Sequence, residues 1–216
     1  MLLVFDLDGT LIDSIRDLTE ASNELSAAYG GPRHDQAAVT RMVGEGARVL
    51  VDRVLAPVGG LSAHPDAFDR YVHIYDRHLV THTGPYPGLA DTLSVLGQSH
   101  VLAVLTNKPR ASTERLLSFT GLDRFFRDVV CGDGPFPRKP DPAGLGWLME
   151  QNASSPRRTM LIGDSDVDLE TARAAGVRLC LARYGFGFAR VTPASIGPDD
   201  IVIDQPADLL DHLSSP

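Results

Sequence analysis

Lysine is almost missing from this chain. Of its twenty basic residues only Lys108 and Lys139 are lysines, and the rest are arginines. A residue this rare is informative where it does occur. Cysteine is scarce as well: Cys131 and Cys180 are too few for a disulfide framework and read as two reduced, mostly buried thiols. No basic run offsets the formal net charge of -8, and an acidic surface repels phosphate backbones, so no nucleic-acid partner is expected. Long apolar runs are absent too. The longest uncharged stretch, Thr92 to Asn107, is too short and polar to span a bilayer, so no membrane partner is expected. The opening MLLVFD has no basic region and its apolar run is cut by Asp6, which argues against a signal peptide and for a cytoplasmic, reducing compartment. What is present is ordinary for a soluble globular protein. The chain has 216 residues, 43% hydrophobic and 22% charged, enough for one sizeable core with a modest insertion.

Six short apolar runs rich in branched residues read as buried strands: Leu2–Phe5, Val101–Leu105, Val129–Cys131, Met160–Ile162, Val177–Leu181 and Ile201–Ile203. Helical patterns separate most of them, through Leu89, Leu93 and Leu96, through Leu116, Leu117 and Phe119, and through Leu145, Leu148 and Met149. Alternation of this kind predicts an α/β fold, a Rossmann-like parallel sheet with helices on both faces. Residues 14 to 84 differ and contain no good strand. Ile15, Leu18, Ser22, Leu25 and Tyr29 form one helix face that ends at Gly30-Gly31-Pro32. Val49, Leu50 and Val54 suggest a second helix, and Phe68, Val72, Tyr75 and Leu79 a third. The expected organisation is a core of residues 1–13 and 85–216 with a helical insertion at 14–84, its exit marked by the stiff segment Gly84-Pro85-Tyr86-Pro87-Gly88.

Four polar clusters fall at or beyond the C-terminal ends of predicted strands, the edge where open parallel sheets bind ligands. Asp6-Leu7-Asp8-Gly9-Thr10 follows the first strand. Two carboxylates two residues apart in extended chain point the same way and repel unless a cation or proton relieves them. Thr106-Asn107 ends the second strand; a hydroxyl and an amide can donate to phosphate oxygens, though taken alone the pair reads first as a turn. Lys108 follows it and reads as solvated. Arg138-Lys139-Pro140-Asp141-Pro142 carries the best candidate for a fixed positive charge among carboxylates. Gly163-Asp164-Ser165-Asp166-Val167-Asp168 precedes a helix, where acidic residues also serve as caps. A calcium loop is excluded there, because its sixth and twelfth positions are Leu169 and Ala175. Carboxylate oxygens without a histidine or cysteine cluster suit a hard cation, hence Mg²⁺. A carboxylate can also attack phosphorus.

In order and spacing, D-L-D-G-T, T-N, the K-P-D-P lysine and G-D-x-x-x-D resemble the four motifs of the haloacid dehalogenase superfamily, over essentially the whole chain. The helical insertion resembles that superfamily's cap domain. T-N-K-P, P-Y-P-G and G-E-G-A-R at Gly44 to Arg48 further resemble phosphoglycolate phosphatases. The resemblance implies that Asp6 is the nucleophile and forms an aspartyl-phosphate, and that Asp8 is general acid and then base. It implies that Asp6, the Asp8 backbone carbonyl and Asp164 hold Mg²⁺, with Asp168 and Thr10 as supports. Leu7, Thr106, Asn107 and Lys139 would contact phosphate, Lys139 would steady Asp6, and the loop Gly44-Glu45-Gly46 would read the leaving group. Arg48 could meet a substrate carboxylate or be a solvated helix residue. The expected activity is hydrolysis of a small phosphorylated metabolite, with 2-phosphoglycolate first. A sugar phosphomutase resembling β-phosphoglucomutase is the alternative, disfavoured by the lysine-free insertion. A non-catalytic phosphate-binding module is disfavoured because every catalytic position is filled. Gly185-Phe186-Gly187 lacks the pattern of a nucleotide loop, and the seven histidines are scattered and read as surface positions. Oligomeric state is left open.

Overall fold

The computed structural model describes residues 1–213, and its centre is the first apolar run. Leu2–Phe5 forms β1, with all four residues buried. After a two-residue strand β2 (Ile12–Asp13), the chain forms five helices: α1 (Ile15–Ala28), α2 (Gln36–Met42), α3 (Ala47–Leu55), α4 (Gly60–Ala63) and α5 (Ala67–His78). It returns through β3 (Gly84–Pro85) and α6 (Leu89–Leu96) to β4 (Val101–Leu105), then α7 (Arg110–Phe119) and β5 (Asp128–Val130). The remainder is α8 (Ala143–Gln151), β6 (Thr159–Gly163), α9 (Asp166–Ala175), β7 (Arg178–Ala182), β8 (Ile201–Ile203) and α10 (Asp208–Leu213).

The main sheet has the order β5-β4-β1-β6-β7-β8, with every pairing parallel. Alternate residues of β1 enter opposite faces. Leu3 and Phe5 pack with Leu102, Val104, Met160 and Ile162, and Leu2 and Val4 pack with Ala103, Leu105, Leu161 and Leu179. Both faces are therefore apolar and covered, as parallel sheets require. The first of these layers continues into the helices through Leu18, Leu25, Leu50 and Ile74. At about 1.5–3 kcal/mol per fully buried aliphatic side chain, this continuity is what holds the helices on the sheet. The strand order reverses at β1: β4 and β5 lie to one side, β6 to β8 to the other. A crevice opens at such a reversal, beyond the C-terminal strand ends.

The expected strands and the fold class are present, with small shifts: β5 begins one residue earlier, at Asp128, and β7 one later, at Arg178. Three features depart from expectation. Helix α2 was not anticipated; it is capped by the Asp35 side chain and fully buries only Val39, so its apolar signal is a single residue. The two chain crossings between sheet and helices pair as an antiparallel ribbon, Ile12 with Pro85 and Asp13 with Gly84. The buried Asp17 carboxylate secures that crossing by accepting from the backbone N–H groups of His82 and Thr83 and from the Thr83 hydroxyl. In α5 the period was right, and of the expected face Tyr75 and Leu79 lie in the core while Phe68 is only partly buried and Val72 is not. The helix's face on the core is Ala67, Tyr71, Ile74 and Tyr75, while Val72 is 45% exposed. Phe68 and Val72 instead line a cavity between the helices and the sheet.

Candidate active site

The ends of β1, β4 and β6, with the loop before α8, converge on one crevice. Asp6 leaves β1 with its N–H still bonded to the Ile162 carbonyl, so the ladder sets its position. Its carboxylate lies 2.8 Å from Lys139 Nζ, and that ammonium lies 2.6 Å from Asp168 Oδ1. The Lys139 side chain is 2% exposed. Burial alone would lower its pKa, but the charges of Asp168 and Asp6 outweigh this and leave the lysine raised and cationic. Burial pushes Asp6 up to about 7, against the lowering effect of Lys139. Asp164 is pushed well above the usual carboxylate range, again chiefly by burial, and its Oδ2 accepts from the Gly187 N–H at 2.7 Å.

Asn107 does not point a free amide at the crevice. It accepts from the Lys139 N–H at 2.8 Å and donates to the Lys139 and Gly44 carbonyls, both at 2.9 Å. Its side chain therefore fixes the Lys139 peptide and fastens the loop between α2 and α3. Arg190 grips the same loop by donating to the Val43 carbonyl, with its other nitrogen 2.7 Å from Asp166. Thr106 lines the cavity, and its hydroxyl oxygen accepts from the Lys108 N–H at 3.2 Å. Gly44 and Gly46 also line the cavity, whereas Glu45 turns outward to pair with Arg53. The Leu7 side chain lies in the core, so only its backbone can face the crevice. Thr10 is fully buried behind it, its carbonyl accepting from the Tyr184 hydroxyl.

Asp8 marks the other end of the crevice, and here the sequence reading of Lys108 is corrected. That lysine is not solvated. Its side chain is 5% exposed, and Nζ lies 3.0 Å from both Asp8 oxygens and 2.7 Å from the Tyr75 hydroxyl on α5. The Ser14 hydroxyl also donates to Asp8, at 2.5 Å. The signal was available in the scarcity of lysine, but the tyrosine that completes the contact is 33 residues away.

A family model described as haloacid dehalogenase-like hydrolase matches residues 3–182. The chain belongs to this family. It is 36% identical to the phosphoglycolate phosphatase of Photobacterium profundum, over 97% of this chain and 93% of that one. It is 38% identical to phosphoglycolate phosphatase 1 of Pseudomonas aeruginosa, over 97% of this chain and 78% of that one. A crystal structure of a predicted phosphoglycolate phosphatase from Haemophilus somnus superposes with a TM-score of 0.87 at 28% identity, covering 98% of this chain and 96% of that one. The chain is thus an enzyme of the haloacid dehalogenase-like hydrolases, similar to phosphoglycolate phosphatases.

The site of this hydrolase fits a hard divalent cation. Carboxylate oxygens of Asp6, Asp164 and Asp168 lie within 4.8 Å of one another, all oxygen donors and nearly all buried. Asp168 is already committed. One oxygen takes Lys139, and the other takes the Ser165 N–H and hydroxyl in the cap of α9. Asp6 and Asp164 keep free lone pairs. The space around Asp164 is reserved by glycines: a Cβ on Gly9 would sit 1.9 Å from its carboxylate, and one on Gly185 2.5 Å. Gly185-Phe186-Gly187 forms a wall against Asp164 that sequence reasoning missed. A second acidic group, Asp17, Glu20 and His82, fits less well because three donors already occupy the Asp17 carboxylate. Arg48 is exposed above the Phe68 ring. His34 and His64 bond to backbone carbonyls, and His78 and His82 face Glu20 and Glu24.

Proposed function

We propose that this hydrolase is a Mg²⁺-dependent phosphatase of small phosphomonoesters, with 2-phosphoglycolate its first candidate substrate, working through an aspartyl-phosphate. The observation that carries this is the pairing of each of two neighbouring carboxylates with its own buried lysine: Asp6 with Lys139 and Asp8 with Lys108. One is held for attack, the other beside the leaving group.

Asp6 attacks phosphorus, forming a carboxylate–phosphorus bond as the bridging oxygen departs. Asp8 gives that oxygen a proton, then takes one from the water that cleaves the acyl phosphate. Lys139 steadies Asp6 and, with the Thr106 hydroxyl and the backbone N–H groups of Leu7 and Asp8, meets charge on the phosphoryl oxygens. Asn107 acts in this scheme through the Lys139 peptide it holds. Mg²⁺, held by Asp6, Asp164 and the Asp8 carbonyl, would supply charge neutralisation on the transferring phosphoryl group. Residues 14–84 act as a cap over the core of 1–13 and 85–216, and the Gly44–Gly46 loop closes the cavity over the substrate. Two buried unpaired thiols are in keeping with a cytoplasmic setting. Among the described residues no helix is long and apolar enough to cross a membrane.

The test is phosphate release from a panel of phosphorylated metabolites with Mg²⁺, beside Asp6→Asn and a chelator control. Release should vanish with chelator and fall by about 10⁴-fold or more in the variant. Equal release by Asp6→Asn would rule out the aspartyl-phosphate route.

A further inference from the structure

Lys108 has no task in the phosphoryl chemistry of Asp6 and Lys139. Its ammonium nevertheless sits at the boundary between sheet and helices, on the Asp8 side of the crevice and 4.7 Å from the centre of the Tyr75 ring. A group attached to a leaving oxygen at Asp8 enters a cavity of about 450 Å³ whose far wall is apolar, formed by Leu18, Leu50, Phe68, Tyr71 and Val72. The other cations at the cavity are placed differently. Arg190 is held by Asp166 and Val43, and Arg138 is exposed, with its Nε donating to the Gly132 carbonyl. Lys108 is the positive charge next to Asp8.

We propose that Lys108 and the Tyr75 hydroxyl form the subsite for a carboxylate on the leaving group, so that the enzyme selects phosphoesters whose alcohol carries a carboxylate two bonds from the bridging oxygen. This rests on the phosphatase reading and names what that site selects. The donor supply suits it. An ammonium has three N–H groups, two now on the Asp8 oxygens and one on the Tyr75 hydroxyl, so a second carboxylate is served when it takes the place of the hydroxyl or of one Asp8 oxygen. The Tyr75 hydroxyl accepts from Lys108, and among the described residues its own hydrogen goes to no acceptor, which leaves it for an incoming anion. A substrate without the carboxylate would leave the buried Tyr75 hydroxyl hydrogen without an acceptor, and sites built around a polar partner reject analogues that lack it. The apolar wall beyond offers little to the hydroxyls of a sugar phosphate.

The experiment compares kcat/KM for 2-phosphoglycolate with that for ethyl phosphate, which has a methyl group in place of the carboxylate, in wild type, Lys108→Met and Tyr75→Phe. Wild type should prefer phosphoglycolate by about 10²-fold or more. Lys108→Met should collapse that ratio by about 10²-fold, and Tyr75→Phe should lower it several-fold through KM. Equal losses on both substrates in Lys108→Met would mean that Lys108 serves Asp8 alone, and would overturn the proposal. So would a wild-type ratio near one. If Lys108→Met gives no cooperative melt, Tyr75→Phe decides, and an unchanged ratio there overturns it. Should wild type turn over ethyl phosphate or para-nitrophenyl phosphate without preferring the carboxylate, the subsite fails and the phosphatase reading stands. No release from any phosphoester would sink both.

Discussion

The two lysines divide the crevice into halves built in different ways. Lys139 is enclosed by elements of the sheet domain: Asp6 after β1, Asp168 in α9, and Asn107 after β4 holding its peptide. Lys108 starts from the same sheet edge but reaches outward, to Asp8 on one side and to Tyr75 of the inserted helices on the other. Charges at the Lys139 end are held by residues that the strand register places. At the Lys108 end the contact exists only when the helices sit on the sheet. In the function proposed above, the first half handles a phosphoryl group common to many substrates, and the second tells one leaving group from another.

Breaking the Lys139 end should cost the most. Lys139→Met leaves Asp6 and Asp168 buried without their cation, and loss of one partner from such a cluster typically costs about 3–5 kcal/mol. Urea unfolding in chelator should register that loss, with activity falling by at least about 10²-fold. A stability change below about 1 kcal/mol would mean that the cluster is not electrostatically tight. The next effect is smaller and depends on pH. Asp6, raised to about 7 chiefly by burial, holds a proton below that pH, and a cation must displace it. Mg²⁺ affinity should therefore be highest above about pH 7 and fall towards about tenfold per unit beneath it. Calorimetry showing constant affinity from pH 8 to 5.5 would contradict the assignment of Asp6 as a ligand. The smallest effect concerns the tie between helices and sheet. Arg190→Met removes the hold on the Val43 carbonyl and the partly exposed pair with Asp166, and pairs of this kind are worth about 1 kcal/mol or less. KM should rise about twofold to fivefold with kcat nearly constant; a collapse of kcat would place Arg190 in the chemistry instead.

Much of the sheet-side half was legible in the chain because three of the four motifs directly follow an apolar run whose length and branching mark it as a strand, and the Lys139 motif lies one short loop beyond another. Once those strands pair in parallel, the residues after them must share an edge. Thus Asp6, Thr106, Asn107, Lys139 and Asp164 were found from local signals. The helical half was less legible. Helix α2 buries one apolar residue and leaves almost no periodicity to read. In α5 both Phe68 and Val72 are apolar, and a helical period cannot tell a stripe that faces a cavity from one that faces the core. Asn107 was correctly placed, but its hydrogen bonds go to Lys139 and Gly44, which no local pattern indicates.

By itself the sequence determined the parallel α/β class and pointed to a helical insertion and a set of catalytic candidates, because strand periodicity and the residues that end a strand are properties of neighbouring positions. Only the tertiary structure decided that Lys108 is buried, that it shares its charge between Asp8 and Tyr75, and that glycines at positions 9, 185 and 187 clear the space around Asp164. Those outcomes depend on segments far apart in the chain being pressed together. Whether a charged side chain is solvated or paired is set by what packs against it, and that is known only once the fold has closed.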